Sequence, residues 1–443
     1  MDLNTFNWLL TDAGQALLAE AIASDLGDAA QLRELERLRR LAPPERAAAA
    51  YETAWLRRRA AAKFANAGAL YFTREALEQA SGATIAAYRA GCYQPYQAVA
   101  DLCCGVGGDT LALAQVAHVA AVDRDPLRLA MALANARACG LDQRVTFSQA
   151  DLEQTPPPAA DAIFFDPARR SGGRRVFALA DYRPPVALVD RWRIHTPAIG
   201  IKVAPGVRDE ELAALAVEEV EFISVDGELK EAMLWLGPLA TPGRRATLLT
   251  NHRPQTTDDR PAAALYGGPS VAAPAGDRRH KTGDERREAT DNGQRTTDNA
   301  DLTMFNAQGQ LQPLPPLASP GTYLYEPDPA VIRAQLVATL ADQIGAAQLD
   351  RTIAYLTADR AVATPFARCW RVLEWLPFNL KRLRARLTAL DAGPVTVKKR
   401  GSPLDTDALA RQLSGAGEHT LVVVLTRMRD QPVALICEGP IAI

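Results

Sequence analysis

Residues 98–110 read AVADLCCGVGGDT: an apolar run, then an acid, then Gly105, Gly107 and Gly108, with a helical stretch behind them. Glycines there let the backbone turn tightly and come close to a ligand. Strand, glycine turn and helix in that order open an α/β sheet. The residues downstream agree. Further apolar runs occur at 116–122, 145–147, 162–165, 199–203, 220–225 and 232–236, separated by helical stretches. Strands apolar throughout and alternating with helices predict a parallel sheet covered on both faces. One helix is marked by the stripe Leu127, Ala130, Met131, Ala134 and Ala138, and Gly140 ends it. The last two runs are joined by Asp226-Gly227, too short for a crossover, so the sheet is expected to end in an antiparallel hairpin.

The flanks read differently. Residues 1–90 are rich in Ala, Leu, Glu and Arg and predict an N-terminal helical region. The sheet domain is expected over 91–250. Residues 251–320, and 252–300 above all, are polar with few large apolar groups, and predict a disordered insertion or linker. After that, strand 322–326, helix 329–340, strands 352–356 and 369–376, helix 379–390 and strand 395–397 give a β-α-β-β-α-β order. This predicts a ferredoxin-like unit over 321–393, with Asp328 as helix cap and Pro329 behind it. A helix at 405–413 and a hairpin, 420–425 with 433–437, complete a last unit over 394–443.

Composition excludes some functions. The 443 residues are 48% hydrophobic and 23% charged, with a net charge of -2, so any nucleic-acid surface must be local. The six cysteines form no CxxC and the five histidines have no metal-ligand spacing, so no metal is expected. No apolar stretch reaches about 18 residues, and Met1–Leu10 lacks a signal-peptide layout. A cytoplasmic protein with no membrane and no obligate protein partner is expected.

The glycine loop departs from the dinucleotide fingerprint, because Thr110 stands where the third glycine would be. The Gly-Lys-Ser/Thr of a P-loop is absent. A cofactor without phosphates fits better. S-adenosylmethionine carries an ammonium, a carboxylate and ribose hydroxyls. Asp101 before Gly105 and Gly107 suits the amino-acid end, Asp123 at the next strand end suits the ribose hydroxyls, and Asp151 at the third suits the adenine amine. Cys103 and Arg124 flank these acids and complete the expected cofactor set. Asp109 and Asp125 read equally well as helix caps.

On these residues, segment 98–240 resembles the class I S-adenosylmethionine-dependent methyltransferases. DLCCGVGGDTLALA followed by VDRDP is similar to the trimethylguanosine synthase type, which modifies an exocyclic guanine amine in RNA caps. VDGELKEAMLWLG, YLYEPDPAVIRA and VKKRG resemble a bacterial group carrying a C-terminal THUMP-like domain. The resemblance implies a Rossmann-like α/β sheet followed by an α+β, ferredoxin-like plus THUMP-like, domain. It also implies an RNA substrate, with rRNA and tRNA as candidates.

The fourth run ends in Phe165-Asp166-Pro167-Ala168-Arg169-Arg170. Amine-methylating relatives place Asp, Asn or Ser, then Pro-Pro and a stacking aromatic, at this point, where the carboxylate and a carbonyl accept the acceptor's N–H bonds. Asp166 and Pro167 fit as catalytic residues, while Ala168-Arg169 departs from the pattern. Arg169 and Arg170 are candidates to stack on a base or grip phosphate. Lys202 is a further candidate for substrate contact, as are Lys398, Lys399 and Arg400 beside the basic helix 381–386. No cysteine follows the fifth run, which rejects uracil C5 chemistry. The expected activity is methylation of an exocyclic or ring nitrogen of an RNA base. The alternatives are a methyltransferase for a protein or small metabolite, and a non-catalytic RNA-binding protein.

Overall fold

The apolar runs become strands β1 Ala98–Leu102, β2 His118–Asp123, β3 Val145–Gln149, β4 Ala162–Phe165, β5 Ala198–Val203, β6 Glu219–Val225 and β7 Glu228–Leu236. In this computed structural model they hydrogen-bond in the order β3-β2-β1-β4-β5-β7-β6, and β8 Gly243–Leu249 and β9 Ala263–Gly267 extend the sheet beyond β6. The first five pair in parallel and β7 runs antiparallel to both β5 and β6. The Asp226-Gly227 turn has positive φ at both residues (52° and 80°), as a tight hairpin turn requires. The structure describes residues 1–168, 170–171, 174–175, 178–251, 263–267, 304–305 and 311–441.

β4 shows why the sheet is apolar throughout. Its four residues are fully buried, and successive side chains face opposite ways. Phe164 packs edge-on against Tyr93 on one side, and Phe165 packs against Trp192 at 5.0 Å on the other.

Six helices precede the sheet: α1 Leu3–Leu9, α2 Asp12–Ile22, α3 Gln31–Arg39, α4 Pro44–Ala60, α5 Arg74–Gln79 and α6 Ala83–Cys92. Within the sheet region lie α7 Gly108–Val116, α8 Pro126–Ala138, α9 Val189–Trp192 and α10 Asp209–Ala214. The N-terminal helices do not form a core of their own. Phe6, Leu18, Leu56 and Phe72 share one cluster with Val106 of the glycine loop and Met131 of α8. Asn135 of α8, buried, joins the two regions: it accepts from Tyr71 N at 2.7 Å and donates to the carbonyls of Tyr71 and Val106. A buried amide is retained only when its polar atoms are partnered in this way.

The described residues of 1–241, 245–265 and 328–334 form one compact unit, and those of 242–244, 266–327 and 335–443 form a second. In the second unit β10 Tyr323–Pro327, β11 Ala347–Asp350, β12 Ile353–Ala358, β13 Ala367–Pro377, β14 Ala392–Lys399, β15 His419–Met428 and β16 Gln431–Pro440 make one sheet. Its order is β11-β12-β10-β13-β16-β15-β14.

Three details differ from expectation. The helix expected at 329–340 is two helices, α11 Pro329–Arg333 and α12 Val337–Ile344, broken where Gln335 takes φ 62°. α11 belongs to the first unit, where Arg333 donates to the carbonyls of Pro205 and Val207 and lies over the Phe222 ring. The β-α-β-β-α-β order expected of a ferredoxin-like unit is interrupted by an added strand, β11, and its last strand, β14, pairs in parallel with β15, so the two C-terminal units share a single sheet. Finally, most of the stretch expected to be disordered lies outside the described residues, yet Ala263–Gly267 within it forms β9. Ala-Ala-Leu-Tyr is an apolar run in that polar stretch, and Leu265 is buried. Helices α13 Leu380–Ala389 and α14 Thr406–Leu413 cover one face of the second sheet through Leu383, Leu387, Leu409 and Leu413.

Candidate active site

The β1–α7 turn is built from strained and glycine-enabled backbone. Cys103 (φ 66°), Gly105 (φ 58°) and Gly107 (φ 87°) all take positive φ. The amides of Cys103 and Cys104 both donate to Val122 O of β2, at 2.8 and 3.0 Å, which holds the turn against the second strand end. Asp123 completes the hold. Its Oδ2 accepts from Gly105 N at 2.9 Å and its Oδ1 from Asp125 N at 2.9 Å. Asp125 itself caps α8, accepting from the amides of Leu127 and Arg128.

A cavity of about 450 Å³ opens at this carboxyl edge of the sheet. It brings together Cys103, Gly105, Asp123, Arg124 and Asp151 of the expected cofactor set with Asp166 and Pro167 of the expected acceptor loop. Asp101, which is buried, and Gly107 are not among the residues that line it. Asp151 is exposed and spends part of its carboxylate on its own turn, accepting from Glu153 N and Gln154 Nε2. Four further side chains in the lining were not anticipated: Glu75 and Gln79 of α5, Arg128 of α8, and Arg183. Glu75 and Arg128 pair at 3.0 Å. Arg183 exchanges two backbone hydrogen bonds with Ala168, which fixes it beside the acceptor loop.

Under the cavity lies a buried charge network. Asp101 is 1% exposed, and its Oδ2 accepts from Thr110 Oγ1 at 2.5 Å. Its Oδ1 has no partner among the described residues. Burial pushes its carboxyl up to about 8, against the Thr110 hydrogen bond and with the nearby charges of Asp109 and Asp166 adding to the rise. Lys202 of β5, 3% exposed, donates to Asp166 Oδ2 at 2.7 Å and lies 4.0 Å from Asp109 Oδ2. Asp109 in turn pairs with the fully buried Arg89 of α6, which also binds Glu231 of β7. Burial works against the charge on Lys202, but the carboxylates of Asp166, Asp109 and Glu231 outweigh it and raise its pKa. Arg89 leaves a trace in sequence as the one charge of α6, whereas Glu231 follows Glu228 and Lys230 in β7 and is not singled out.

The remaining candidates fall elsewhere. Arg169 lies outside the described residues, and Arg170 is described only as backbone, in a two-residue hairpin with Arg175. In the second unit, Lys398 pairs with Glu326 at 2.6 Å over the Trp370 ring, and Arg400 lies 3.8 Å from Glu326 and over the Tyr355 ring. Lys399 donates to Leu404 O. Among the described residues no group of three or more His, Cys, Asp or Glu could hold a metal ion, and no helix is long and apolar enough to cross a membrane.

Comparison with known proteins agrees with this geometry. Residues 96–192 match the family described as RNA cap guanine-N2 methyltransferase, residues 367–439 match a THUMP domain-like family, and residues 2–60 match a domain of unknown function. An "uncharacterized S-adenosylmethionine-dependent methyltransferase" of Mycobacterium tuberculosis, found in strains CDC 1551 and H37Rv, is 37% identical over 389 residues. That alignment covers 85% of this chain and 92% of the relative. The chain belongs to the S-adenosylmethionine-dependent methyltransferases. The solved structure of a "putative methyltransferase from Porphyromonas gingivalis W83" shares the fold, with a TM-score of 0.66 at 21% identity over 99% of both chains.

The methyltransferase's own residues fit its cofactor on two observations. Asp101, at the end of β1, has one buried carboxyl oxygen, Oδ1, with no partner among the described residues. The ammonium of the cofactor can supply the donor that this oxygen lacks. At Gly105 a Cβ would project into open space, so the absence of a side chain leaves room for a ligand along the turn.

Proposed function

We propose that this methyltransferase transfers a methyl group to a nitrogen of an RNA base. The observation that carries the reading is Asp166, whose carboxylate and following Pro167 line the same cavity as the β1 turn, Asp123 and Asp151. Asp101 would hold the cofactor's ammonium, Asp123 the ribose hydroxyls and Asp151 the adenine amine, with Cys103, Gly105, Gly107 and Arg124 shaping the turn between them. When bound, S-adenosylmethionine supplies an electrophilic methyl on a sulfonium. The protein's task is then to aim a lone pair at that methyl and keep water out. Asp166 accepts an N–H of the acceptor, and Pro167, buried, closes the space beside it. The RNA cap guanine-N2 methyltransferase match and the THUMP domain-like match support RNA as the substrate class.

Two variants and one survey test the reading. Asp101→Ala is expected to abolish cofactor binding by calorimetry. Asp166→Ala is expected to bind cofactor normally and to stop transfer to RNA. Mass spectrometry of RNA nucleosides from a deletion strain should show one methylated nucleoside missing. A second reading, transfer to a protein or small metabolite, is favoured by Ala168, which lines the cavity where an aromatic would stack. Radiolabel from the cofactor appearing in the protein fraction of an extract, and not in its RNA, would decide for it.

A further inference from the structure

We propose that Lys202 is a positioning residue for the methyl acceptor: it clamps Asp166 so that a single ionised oxygen meets a neutral N–H on the substrate. This rests on the reading of Asp166 as the acceptor-side carboxylate. The backbone register delivers the clamp. β4 and β5 run in parallel with Phe165 opposite Ile201, so Asp166 and Lys202, one residue on, face each other at the sheet edge. The ammonium meets Asp166 Oδ2 at 2.7 Å, while Oδ1 has no partner among the described residues. Asp166 keeps about a quarter of its side chain exposed, in the cavity wall, whereas Lys202 is buried behind it.

The network beyond Lys202 keeps this arrangement rigid. Asp109 of α7 lies 4.0 Å from the ammonium, Arg89 of α6 binds Asp109 and Ser81, and Glu231 of β7 closes the chain. Asp101 and Cys103 are the other titratable groups near Asp166, and both are held on the β1 side. The Lys202 ammonium occupies Oδ2, so the part left to Asp166 is to accept a hydrogen bond from the acceptor through Oδ1. The acceptor nitrogen forms its new N–C bond as the methyl's C–S bond breaks and the thioether leaves. The surplus proton on nitrogen departs to solvent afterwards. An anionic acceptor, such as a carboxylate or phenolate, is disfavoured because Oδ1 would repel it. An exocyclic amine or a ring N–H is the chemical class the clamp accommodates.

The test is single-turnover transfer from tritium-labelled S-adenosylmethionine to total RNA from the deletion strain, compared across RNA concentration. Lys202→Met is expected to slow transfer at saturating RNA by about 100-fold, as loss of an orienting group does. Its affinity for S-adenosylhomocysteine by calorimetry should stay within about threefold of the parent. The RNA concentration giving half the maximal rate should change by less than about threefold, because the loss falls on orientation of the acceptor and not on RNA binding. Lys202→Arg should recover a large part of the rate. Parental maximal rate in Lys202→Met, with Asp166→Asn inactive, would overturn the clamp while leaving Asp166 in place. Parental rate in Asp166→Asn would overturn the underlying reading instead. A second measurement needs no RNA and tolerates a destabilised variant. The position of the Asp166 carboxylate is compared in crystal structures of the S-adenosylhomocysteine complex of the parent and of Lys202→Arg and Lys202→Met. A carboxylate turned away in Lys202→Met but held in Lys202→Arg supports the clamp, and an unchanged Asp166 in all three proteins refutes it.

Discussion

Asp101 gives the protein a testable pH dependence. Burial raises its carboxyl to about 8, so the folded protein keeps a proton that the unfolded chain releases near pH 4. The sign follows: as pH rises between those two values the unfolded state binds fewer protons than the folded one, and stability falls. Asp101→Asn should remove that part of the slope. Urea midpoints at pH 5.5 and pH 8 should differ less in the variant than in the parent, and an unchanged difference would refute the assignment. The same proton reports on the cofactor. On the proposed contact between Asp101 and the cofactor's ammonium, Asp101 must ionise, so cofactor binding near pH 7 should release a proton, visible in calorimetry as a dependence on buffer ionisation heat. In Asp101→Asn no proton should be released, and affinity should fall by about 10- to 100-fold, the worth of a hydrogen bond to a charged group. At this scale the sequence was partly legible. Asp101 is readable because an acid ends an apolar run before glycines. Thr110 looked like a flaw in a fingerprint, and the structure gives it a task, since its hydroxyl donates to Asp101. Lys202 was readable as a charge inside the fifth run but not as the partner of Asp166, because that pairing depends on register between β4 and β5.

At the scale of elements, local pattern was informative where burial is uniform. β4 was delimited correctly because four consecutive large or apolar residues leave no other reading. β7 begins at Glu228, four residues before the expected start, because its first turns are polar and its apolar half alone stood out. The break between α11 and α12 and the single C-terminal sheet were not legible, since both arise from long-range packing. Glycines give this scale its sharpest test. A Cβ on Gly200 of β5 would lie 2.4 Å from Tyr93 Oη and 2.5 Å from the Trp235 ring, both fully buried. Tyr93 cannot yield easily, because its hydroxyl donates to Ile163 O of β4. Gly200→Ala should therefore cost about 1–3 kcal/mol through overpacking, read as a lower urea midpoint. Gly107→Ala meets only Ala132, at 3.3 Å, but must hold φ 87°. Its cost should be about 1–2 kcal/mol from the left-handed backbone. Equal stability of either variant with the parent would show that the strand or the turn can shift.

At the scale of the whole molecule, a net charge of -2 means that the proposed RNA substrate must be attracted by local surfaces. The second unit offers two sets of cations that differ in their commitments. Lys398 and Arg400 are engaged by Glu326 and lie over aromatic rings, about a quarter to a third exposed. Lys381 and Arg382 stand exposed on the first turn of α13, whose buried side is Leu383 and Leu387. A cation already paired must break that pair before it neutralises a phosphate, so its net contribution to RNA affinity is small. The exposed pair is free to release counterions. Lys381→Ala with Arg382→Ala should weaken RNA binding and reduce the slope of log affinity against log salt by about two, one for each lost phosphate contact. Lys398→Ala should change that slope by less than half as much. Both variants should bind S-adenosylhomocysteine like the parent, because neither touches the β1 turn or Asp123. A filter-binding series across salt concentration with deletion-strain RNA measures all three. A larger slope change for Lys398→Ala than for the double variant would move the RNA surface from α13 to β14, and an unchanged slope in both would remove the second unit's cations from RNA recognition.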